Sequence, residues 1–564
     1  MTRFENELTK PVNQLLVQAQ QAADKLEQRK TLLTQDMSVD ELVAQLQLLE
    51  EISEHLISAN CLSDAAFSVD QENEDKSALL NKTTQVSSKI YQQTIYFTLT
   101  LQEHNKLDEY IKKLPRYKTF LRRLKEQQKH SLKEEQEQLI SKKDENGSNK
   151  LIKIYDMITA NYVFEIELEG KTKKCTRAEI QKLMTDENRS TRKKAKDSFY
   201  EQFGPDKHVL NEIYTALVAD RVQEQEMRGY STAIEARHQS NDITQEVYEA
   251  LQNSADKHNK LFQEYIECKR QVLGYKEMRG YDINANIPGL PKGLNYQEAT
   301  KHMIDVFANY ADWMAQLATQ IHQSKRVDAE SRQHKRSGAC SYETPPSEQP
   351  LIILNHQDDF NSLKTLAHET GHAIHNILTK NNSVLVANPP IVLAETASNL
   401  AELLIIEDAR AHANKKEEIA LLCDFLADAF GSISMQILYT KYEKWVHDNP
   451  ESTLSQRCYY WKQLQENLLP NVKRTTSKDY GWISIPHLYQ LPFYCYGYSF
   501  GILLAMALYK QATPQEIKEI LEAGGSKKPH KLLSTYGYDI TSEDFWDQGF
   551  MQLQLLVDRL NTLL

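Results

Sequence analysis

The chain has 564 residues, of which 40% are hydrophobic and 26% are charged, and these proportions are typical of a folded globular protein. A formal net charge of −11 argues against general affinity for nucleic acid or for an anionic membrane, because both would repel the chain. Composition and charge therefore exclude a largely disordered chain, and we expect neither a nucleic-acid nor a membrane partner.

The seven cysteines are odd in number, scattered and free of Cys-x-x-Cys spacing, which indicates reduced thiols. Residues 1–7 do not combine a basic start with an apolar stretch, so no secretory signal is predicted. No segment approaches 18 uninterrupted apolar residues, the length of a membrane-spanning helix. We therefore expect a cytoplasmic protein.

Helical patterning dominates the first part of the chain. Residues 11–33, 40–60 and 85–113 carry apolar positions three and four apart with Gln, Lys and Glu between them, which predicts long amphipathic helices. The polar stretch 142–149 breaks this pattern and predicts a loop.

A short strand follows this predicted loop. Phe164, Ile166 and Leu168 alternate with glutamates before Gly170, which predicts a strand entering a turn. Helical patterning resumes from Arg177 and continues through 200–335, interrupted at 286–293 by a run rich in Pro and Gly. The expected architecture is mainly α, with a small sheet.

The segment 365–375 reads Thr-Leu-Ala-His-Glu-Thr-Gly-His-Ala-Ile-His and contains His-Glu-x-x-His within a helical apolar pattern. Residues four apart on an α-helix differ by about 40° in direction and about 6 Å in height, so His368 and His372 can direct imidazole nitrogens at one cation. Glu369 then projects beside that cation as a general base for a water molecule. Asn361 or Ser362 is expected to cap the start of this helix.

A catalytic zinc ion needs three protein ligands and one open position, so a third donor is required. Glu395 lies in a second helical pattern of apolar and small residues that begins after Asn388-Pro389-Pro390, where burying an unpaired carboxylate is costly. We predict Glu395 as the third ligand in preference to Glu402, which lies two turns further along the same face. Glu402 is either a hydrogen-bond acceptor for a ligand histidine or a solvated side chain. His375 is expected to be packed or hydrogen-bonded rather than a fourth ligand.

The combination of His-Glu-x-Gly-His with Ala-Glu-Thr-Ala-Ser at 394–398 resembles the oligoendopeptidase F branch of the thimet-type oligopeptidases. Segments 338–342, 350–355, 482–487 and 493–498 are similar to further motifs of that branch, and 130–183 is similar to its N-terminal segment. The resemblance extends from about Leu114 to the C-terminus. It implies three regions: an N-terminal helical region at 1–113, an oligoendopeptidase F-type segment at 114–183 and a zinc peptidase catalytic domain at 200–564.

The resemblance implies helical lobes around a deep substrate channel, with the small β-sheet next to the zinc-binding helix. It assigns substrate and transition-state contacts to His487, Tyr494 and Tyr498, whose donors can stabilise an oxyanion. Tyr494 and Tyr498 share a face if their segment is helical, whereas Tyr496 points elsewhere. The alternative is an aromatic core cluster.

The segment that begins Gly338-Ala339-Cys340 is expected to be extended, and the resemblance implies that it borders the cleft. An exposed strand edge there can bind a peptide as an added strand through main-chain hydrogen bonds. A purely structural strand or a loop is the alternative.

These observations predict an endopeptidase with one zinc ion per chain that hydrolyses short, unstructured peptides, with Glu369 as general base. Two alternatives remain open: a related zinc carboxypeptidase or aminopeptidase, and a helical interaction protein with a non-catalytic zinc site. Another divalent metal can also occupy such a site. The sequence does not indicate the oligomeric state.

Overall fold

A computed structural model describes residues 8–474 and 479–564. Helices account for most of this part of the chain, and the strands form only two small sheets. The predicted mainly α fold is confirmed.

The helices of the first half are α1 (Val12–Gln28), α2 (Val39–Ser68), α3 (Glu74–Gln102), α4 (Leu107–Lys113), α5 (Lys118–Gln127), α6 (Glu134–Asn146), α7 (Ser148–Ala160), α8 (Arg177–Leu183), α9 (Arg189–Phe203), α10 (Lys207–Met227), α11 (Glu235–Ser240), α12 (Gln245–Lys257) and α13 (Asn259–Val272). Those of the second half are α14 (Tyr296–Tyr310), α15 (Asp312–Gln323), α16 (Phe360–Leu378), α17 (Val384–Ala387), α18 (Ile391–His412), α19 (Lys415–Phe430), α20 (Gln436–Asp448), α21 (Leu454–Leu468), α22 (Pro486–Gln490), α23 (Tyr496–Gln511), α24 (Pro514–Glu522), α25 (Pro529–Ser534) and α26 (Glu543–Leu563).

The predicted strand at Phe164 is the first arm of a hairpin, in which β1 (Phe164–Leu168) pairs antiparallel with β2 (Lys171–Cys175). Glu169 and Gly170 form the two-residue turn, and both have positive φ (51° and 75°) as such tight turns require. The strand and its turn are therefore as expected.

The second sheet has three short strands, β3 (Val327–Asp328), β4 (Cys340–Tyr342) and β5 (Leu351–Ile353), in the order β3-β5-β4. The central strand β5 is fully buried and pairs parallel with β3 and antiparallel with β4. Both β4 and β5 pack against α16, the helix that carries the His-Glu-x-x-His motif. The predicted small sheet next to this helix is therefore present.

Two expectations about the N-terminal helices are wrong in detail. The polar stretch 142–149 is not a loop, because α6 runs to Asn146 and α7 begins at Ser148. No residue of α6 is buried, so this helix needs no apolar face. Its sequence therefore lacks the apolar repeat from which a helix is predicted. The predicted helix 85–113 is divided by a turn between α3 and α4.

The chain divides into two compact units. The first contains the described residues of Met1–Leu139, together with Lys292–Asp408 and Ala512–Tyr536. One of its apolar clusters joins α1, α2, α3 and α5, and another joins α1 and α2 to the second sheet through Tyr342, Leu351 and Ile353. The sheet that supports α16 is thus anchored in the core of this unit.

The second unit contains Ile140–Pro291, the described residues of Ala409–Gln511, and Gly537–Leu564. Its core is rich in aromatic side chains, and the rings of Tyr214 and Tyr442 each lie 5.4 Å from the ring of Trp482 between centroids. The stretch Lys415–Asp448 in this unit is long and apolar enough to cross a membrane. However, 61% of its most apolar 18-residue segment is buried inside the protein.

Candidate functional site

The motif helix α16 begins after Asp359, whose side chain accepts a hydrogen bond from the backbone N–H of Ser362. Asp359 therefore caps the helix, and the expectation that Asn361 or Ser362 would do so is wrong. The helix places the rings of His368 and His372 one turn apart, with centroids separated by 4.9 Å. Their side chains are 27% and 24% exposed, so solvent reaches both rings.

Helix α18 brings Glu395 to the two histidines. Its Oε2 atom lies 3.5 Å from Nε2 of His368 and 3.5 Å from Nε2 of His372. The ligand atoms of these three residues all lie within 4.8 Å of one another. Two imidazole nitrogens and one carboxylate oxygen form a donor set that suits a catalytic zinc ion, so the side chains present fit this metal.

Carboxylates surround the two imidazoles and favour a positive charge between them. Burial raises the pKa of Glu395, but the interactions with His372 and His368 outweigh burial and hold this pKa at about 2. Burial lowers the pKa of His368, whereas Glu402, Glu395 and Glu369 together raise it to about 9. The same negative potential that stabilises a proton on His368 favours a divalent cation in its place.

Glu402 contacts the Nδ1 edge of the His368 ring, whereas Glu395 lies at the Nε2 edge. Its Oε2 lies 3.3 Å from Nδ1 of His368, and its Oε1 lies 3.8 Å from the ammonium group of Lys364. A carboxylate on Nδ1 fixes the ring orientation and leaves Nε2 available as the donor atom. Glu402 is therefore placed to accept a hydrogen bond from His368, and its role behind a metal ligand stays a prediction.

Gly371 allows α16 and α18 to approach closely enough for Glu395 to reach the histidines. A Cβ atom on Gly371 would lie 2.6 Å from the carbonyl oxygen of Ala397 and 2.7 Å from Cα of Ser398, distances that no side chain tolerates. Ser398 in turn donates its hydroxyl to Oε2 of Glu395 at 3.1 Å. Close packing of the two backbones thus sets the position of the Glu395 carboxylate.

Glu369 lies beside the histidines and contacts the edge strand β4. The backbone N–H of Ser341 hydrogen bonds to its carboxylate, and Cys340 lies near enough to interact with its charge. Burial raises the pKa of Glu369, an effect that Glu395 reinforces and the two histidines oppose, and the net shift is upward. A carboxylate with a raised pKa is a stronger base than a solvated one.

The segment expected to be extended from Gly338 is shorter than predicted. Gly338 has φ of +87° and forms part of a bend, Ala339 precedes the strand, and β4 begins only at Cys340. Glycine is the residue that adopts this φ without strain, so the bend ends the extended conformation. β4 pairs with β5 on one side and forms an edge of its sheet, as the predicted peptide-binding role requires.

His375 is buried and hydrogen bonds to backbone groups of Leu521 and Ala394. Burial lowers its pKa to about 3, so the ring is neutral. It is placed as a packed, hydrogen-bonded histidine, in line with the expectation.

A second histidine near α16 was not singled out from the sequence. His322 on α15 contacts Oγ1 of Thr370 through Nε2 at 3.0 Å and the hydroxyl of Tyr296 through Nδ1 at 3.1 Å. Because Thr370 already donates to the carbonyl of Leu366, Nε2 of His322 must carry the hydrogen. This contact fixes the side chain of Thr370, the residue next to Glu369. The sequence does not predict the contact, because a single histidine in a helical pattern does not indicate its partner.

The predicted C-terminal contacts form a cluster in the second unit. The ring of His487 is stacked on that of Tyr494 at 5.6 Å, and Tyr498 meets both rings edge-on at 5.9 Å and 5.2 Å. The hydroxyl of Tyr498 lies 3.4 Å from Nε2 of His487. Burial lowers the pKa of His487, which favours its neutral form.

The two tyrosines do not share a helical face as expected, because α23 begins at Tyr496 and Tyr494 precedes it. Tyr496 does point elsewhere: it is buried, and its hydroxyl accepts a hydrogen bond from the side chain of Asn241 at 2.6 Å. The structure therefore brings His368, His372, Glu369, Glu395 and Glu402 together in the first unit and the His487 cluster together in the second. Their individual roles stay predictions.

Two family models match the chain. The model of peptidase family M3 matches residues 182–552, and a model described as oligopeptidase F matches residues 99–164. The first match alone covers more than half of the chain.

Curated relatives and solved structures agree with these matches. Oligoendopeptidase F (plasmid form) of Lactococcus lactis subsp. cremoris is 26% identical over 486 residues, covering 83% of this chain and 80% of the relative. Oligopeptidase PepF of Bacillus subtilis is 25% identical over 492 residues, covering 82% and 72%. The crystal structure of oligoendopeptidase-F from Enterococcus faecium has the same fold, with a TM-score of 0.75 at 18% identity over 99% of both chains. The chain belongs to peptidase family M3 and is a metalloendopeptidase related to oligoendopeptidase F.

Proposed function

We propose that this metallo-oligopeptidase cleaves short, unstructured peptides at internal bonds, with one zinc ion held by His368, His372 and Glu395. The observation that carries the proposal is the convergence of these three donors within 4.8 Å of one another, with Glu369 beside them. A bound zinc ion supplies Lewis acidity, which polarises the scissile carbonyl and lowers the pKa of water toward about 7.

Glu369 serves as the general base in this proposal. Its raised pKa suits it to accept a proton from the attacking water and to deliver that proton to the leaving amine. The hydrogen bond from Ser341 N–H holds the carboxylate in one orientation. These features support a base rather than a further ligand, because the carboxylate is already oriented by the strand.

His487, Tyr494 and Tyr498 are proposed to stabilise the developing oxyanion. Phenol hydroxyls and a neutral imidazole are hydrogen-bond donors that can be aimed at such a charge without themselves needing a counter-ion. Their mutual contacts, with ring centroids 5.2–5.9 Å apart, support a common role. Cys340 and the preceding Gly338 and Ala339 are proposed to bind the peptide main chain at the edge of β4, which supports tolerance of many sequences.

Hydrolysis of end-blocked peptides tests the proposal against its alternatives. We expect the zinc-loaded protein to cleave a peptide of about ten residues with an acetylated N-terminus and an amidated C-terminus, and a chelator to abolish cleavage until zinc is restored. An exopeptidase fails on this substrate because it needs a free terminus. A protein with a structural zinc site shows stoichiometric zinc and no cleavage, and mass spectrometry of the products distinguishes these outcomes.

Glu402 is expected to control zinc affinity without taking part in bond cleavage. Glu402→Gln removes the negative charge that faces Nδ1 of His368 at 3.3 Å, and such changes behind a ligand weaken metal binding by about 10- to 100-fold. Competition with a chromophoric chelator measures the affinity. Glu407→Gln, on the same helix, is the matched control, and equal zinc affinity in the two variants contradicts the assignment.

The seven free cysteines support the cytoplasm as the compartment of this protein, because thiols persist in reducing surroundings.

A further inference from the structure

The segment between His487 and Tyr494 is held by three ionisable side chains from three helices of the same unit. They are Arg221 on α10, Arg237 on α11 and Glu443 on α20. Each contacts the main chain of residues 488–493, the stretch that joins the imidazole of the His487 cluster to its first tyrosine. The segment is therefore fixed through its backbone.

Phe493 adopts a backbone conformation that needs external support. It is a buried, non-glycine residue with φ of +55°, a region that bulky side chains rarely occupy. Its N–H donates to Oε2 of Glu443 at 2.9 Å. The ring of His447, one turn after Glu443 on α20, packs against the Phe493 ring at 4.9 Å. Helix α20 thus holds both the backbone and the side chain of this residue.

The two arginines hold the carbonyl groups of the same segment. Arg221 donates to the carbonyl oxygens of Leu488 and Tyr489, and Arg237 donates through Nε to that of Pro492 at 2.9 Å. A guanidinium group has several donors in a fixed plane, so it can fix two carbonyls at once. The N–H of Phe493 and the carbonyls of three residues before it are therefore all hydrogen-bonded to ionisable side chains.

Glu443 is fully buried, and burial is the main reason that its pKa rises to about 8, although Arg221, the Phe493 N–H and Arg237 oppose the rise. Its Oε1 atom has no hydrogen-bond partner among the described residues. An ionisable side chain at such a position costs stability compared with an apolar one of the same size. This cost argues that Glu443 serves something other than folding.

We propose that Glu443, assisted by Arg221 and Arg237, is a positioning residue for the oxyanion-binding cluster of His487, Tyr494 and Tyr498. It acts by fixing the turn at Phe493, because rotation about this residue displaces Tyr494 relative to His487. This inference rests on the function proposed for the cluster. In this proposal the three residues act on the cluster and not on the substrate.

The route from Glu443 to the cluster is short. Phe493 directly precedes Tyr494, whose N–H donates to the carbonyl of Leu491 at 3.3 Å and whose carbonyl accepts from Gly497 at the start of α23. A change at the turn therefore moves Tyr494 and the start of the helix that carries Tyr498. Displacement of a catalytic donor by about 1 Å can lower a rate by about 100-fold.

A double-mutant cycle tests this proposal. Glu443→Leu removes the acceptor at nearly constant volume, and we expect kcat to fall about 10- to 100-fold with KM and zinc content little changed. Glu443→Gln keeps an acceptor for the Phe493 N–H and is expected to recover most of the lost rate. In a background of His487→Ala, Tyr494→Phe and Tyr498→Phe, Glu443→Leu is expected to change kcat less than about threefold, because the groups that it positions are absent.

Glu418→Leu is the matched control, since Glu418 is a buried carboxylate of the same unit that accepts hydrogen bonds from Arg559. It is expected to lower the melting temperature and to change kcat equally in both backgrounds. If Glu443→Leu does not fold, Arg237→Met, a substitution at a half-buried position, tests the same proposal.

Equal losses of kcat for Glu443→Leu in the two backgrounds overturn the positioning role and leave Glu443 a structural residue. No loss in the wild-type background overturns it as well. A different result is that the variant with only the three cluster substitutions keeps the kcat of the wild type. That result refutes the function proposed for His487 and the tyrosines, on which the inference rests.

Discussion

Glu369→Gln should leave the zinc content unchanged and lower kcat by about 10²- to 10⁴-fold, the usual contribution of a general base. The amide has the same shape as the carboxylate and can still accept the hydrogen bond from Ser341 N–H, so the geometry of β4 and α16 is retained. It cannot take a proton from water. The three proposed ligands are separate residues, and metal binding therefore survives the substitution.

The measurement pairs kcat on an internally quenched peptide with zinc content by atomic absorption. Glu343→Gln is the control, because Glu343 is an exposed carboxylate at the end of β4 whose charge interacts with that of His372. It removes one negative charge near the site without removing the proposed base, and kcat is expected to change less than about threefold. Undiminished hydrolysis by zinc-loaded Glu369→Gln rules out Glu369 as the base.

The grouping of His368, His372 and Glu395 in the first unit was largely predictable because its signals are local. Two histidines at helical spacing define one face of α16, and Glu395 and Glu402 are the two carboxylates within the apolar pattern of α18. The cap at Asp359 was missed because three polar residues in the region 359–362 are all competent caps, and only the backbone geometry selects one.

The contacts that hold the second cluster were not predictable, for a physical reason. Arg221 and Glu443 lie more than 200 residues apart in the sequence and meet the segment 488–493 only after folding. Single charged residues in helical patterns look like solvated positions, and nothing in their spacing indicates burial. The start of α23 at Tyr496 was missed for a related reason, since the positive φ of Phe493 depends on these tertiary contacts.

Gly371→Ala should destabilise the protein and weaken zinc binding, although alanine normally stabilises a helix by about 1 kcal/mol over glycine. The added Cβ lies 2.6 Å from the Ala397 carbonyl oxygen, so α16 and α18 must separate. Overpacking of this kind costs about 1–3 kcal/mol. Separation also moves Glu395 away from the two histidines, from which its Oε2 now stands 3.5 Å, and we expect zinc affinity to fall by at least about tenfold.

Gly431→Ala is the matched control for this prediction, because Gly431 also has helical backbone angles and a Cβ there meets no atom within 4 Å. Its melting temperature is expected to stay the same or rise, and its zinc affinity to remain that of the wild type. Thermal unfolding with and without zinc measures both effects for the two variants. If Gly371→Ala binds zinc as tightly as Gly431→Ala, the close approach of the two helices does not set the position of Glu395, and the third donor must be held by other contacts such as the hydroxyl of Ser398.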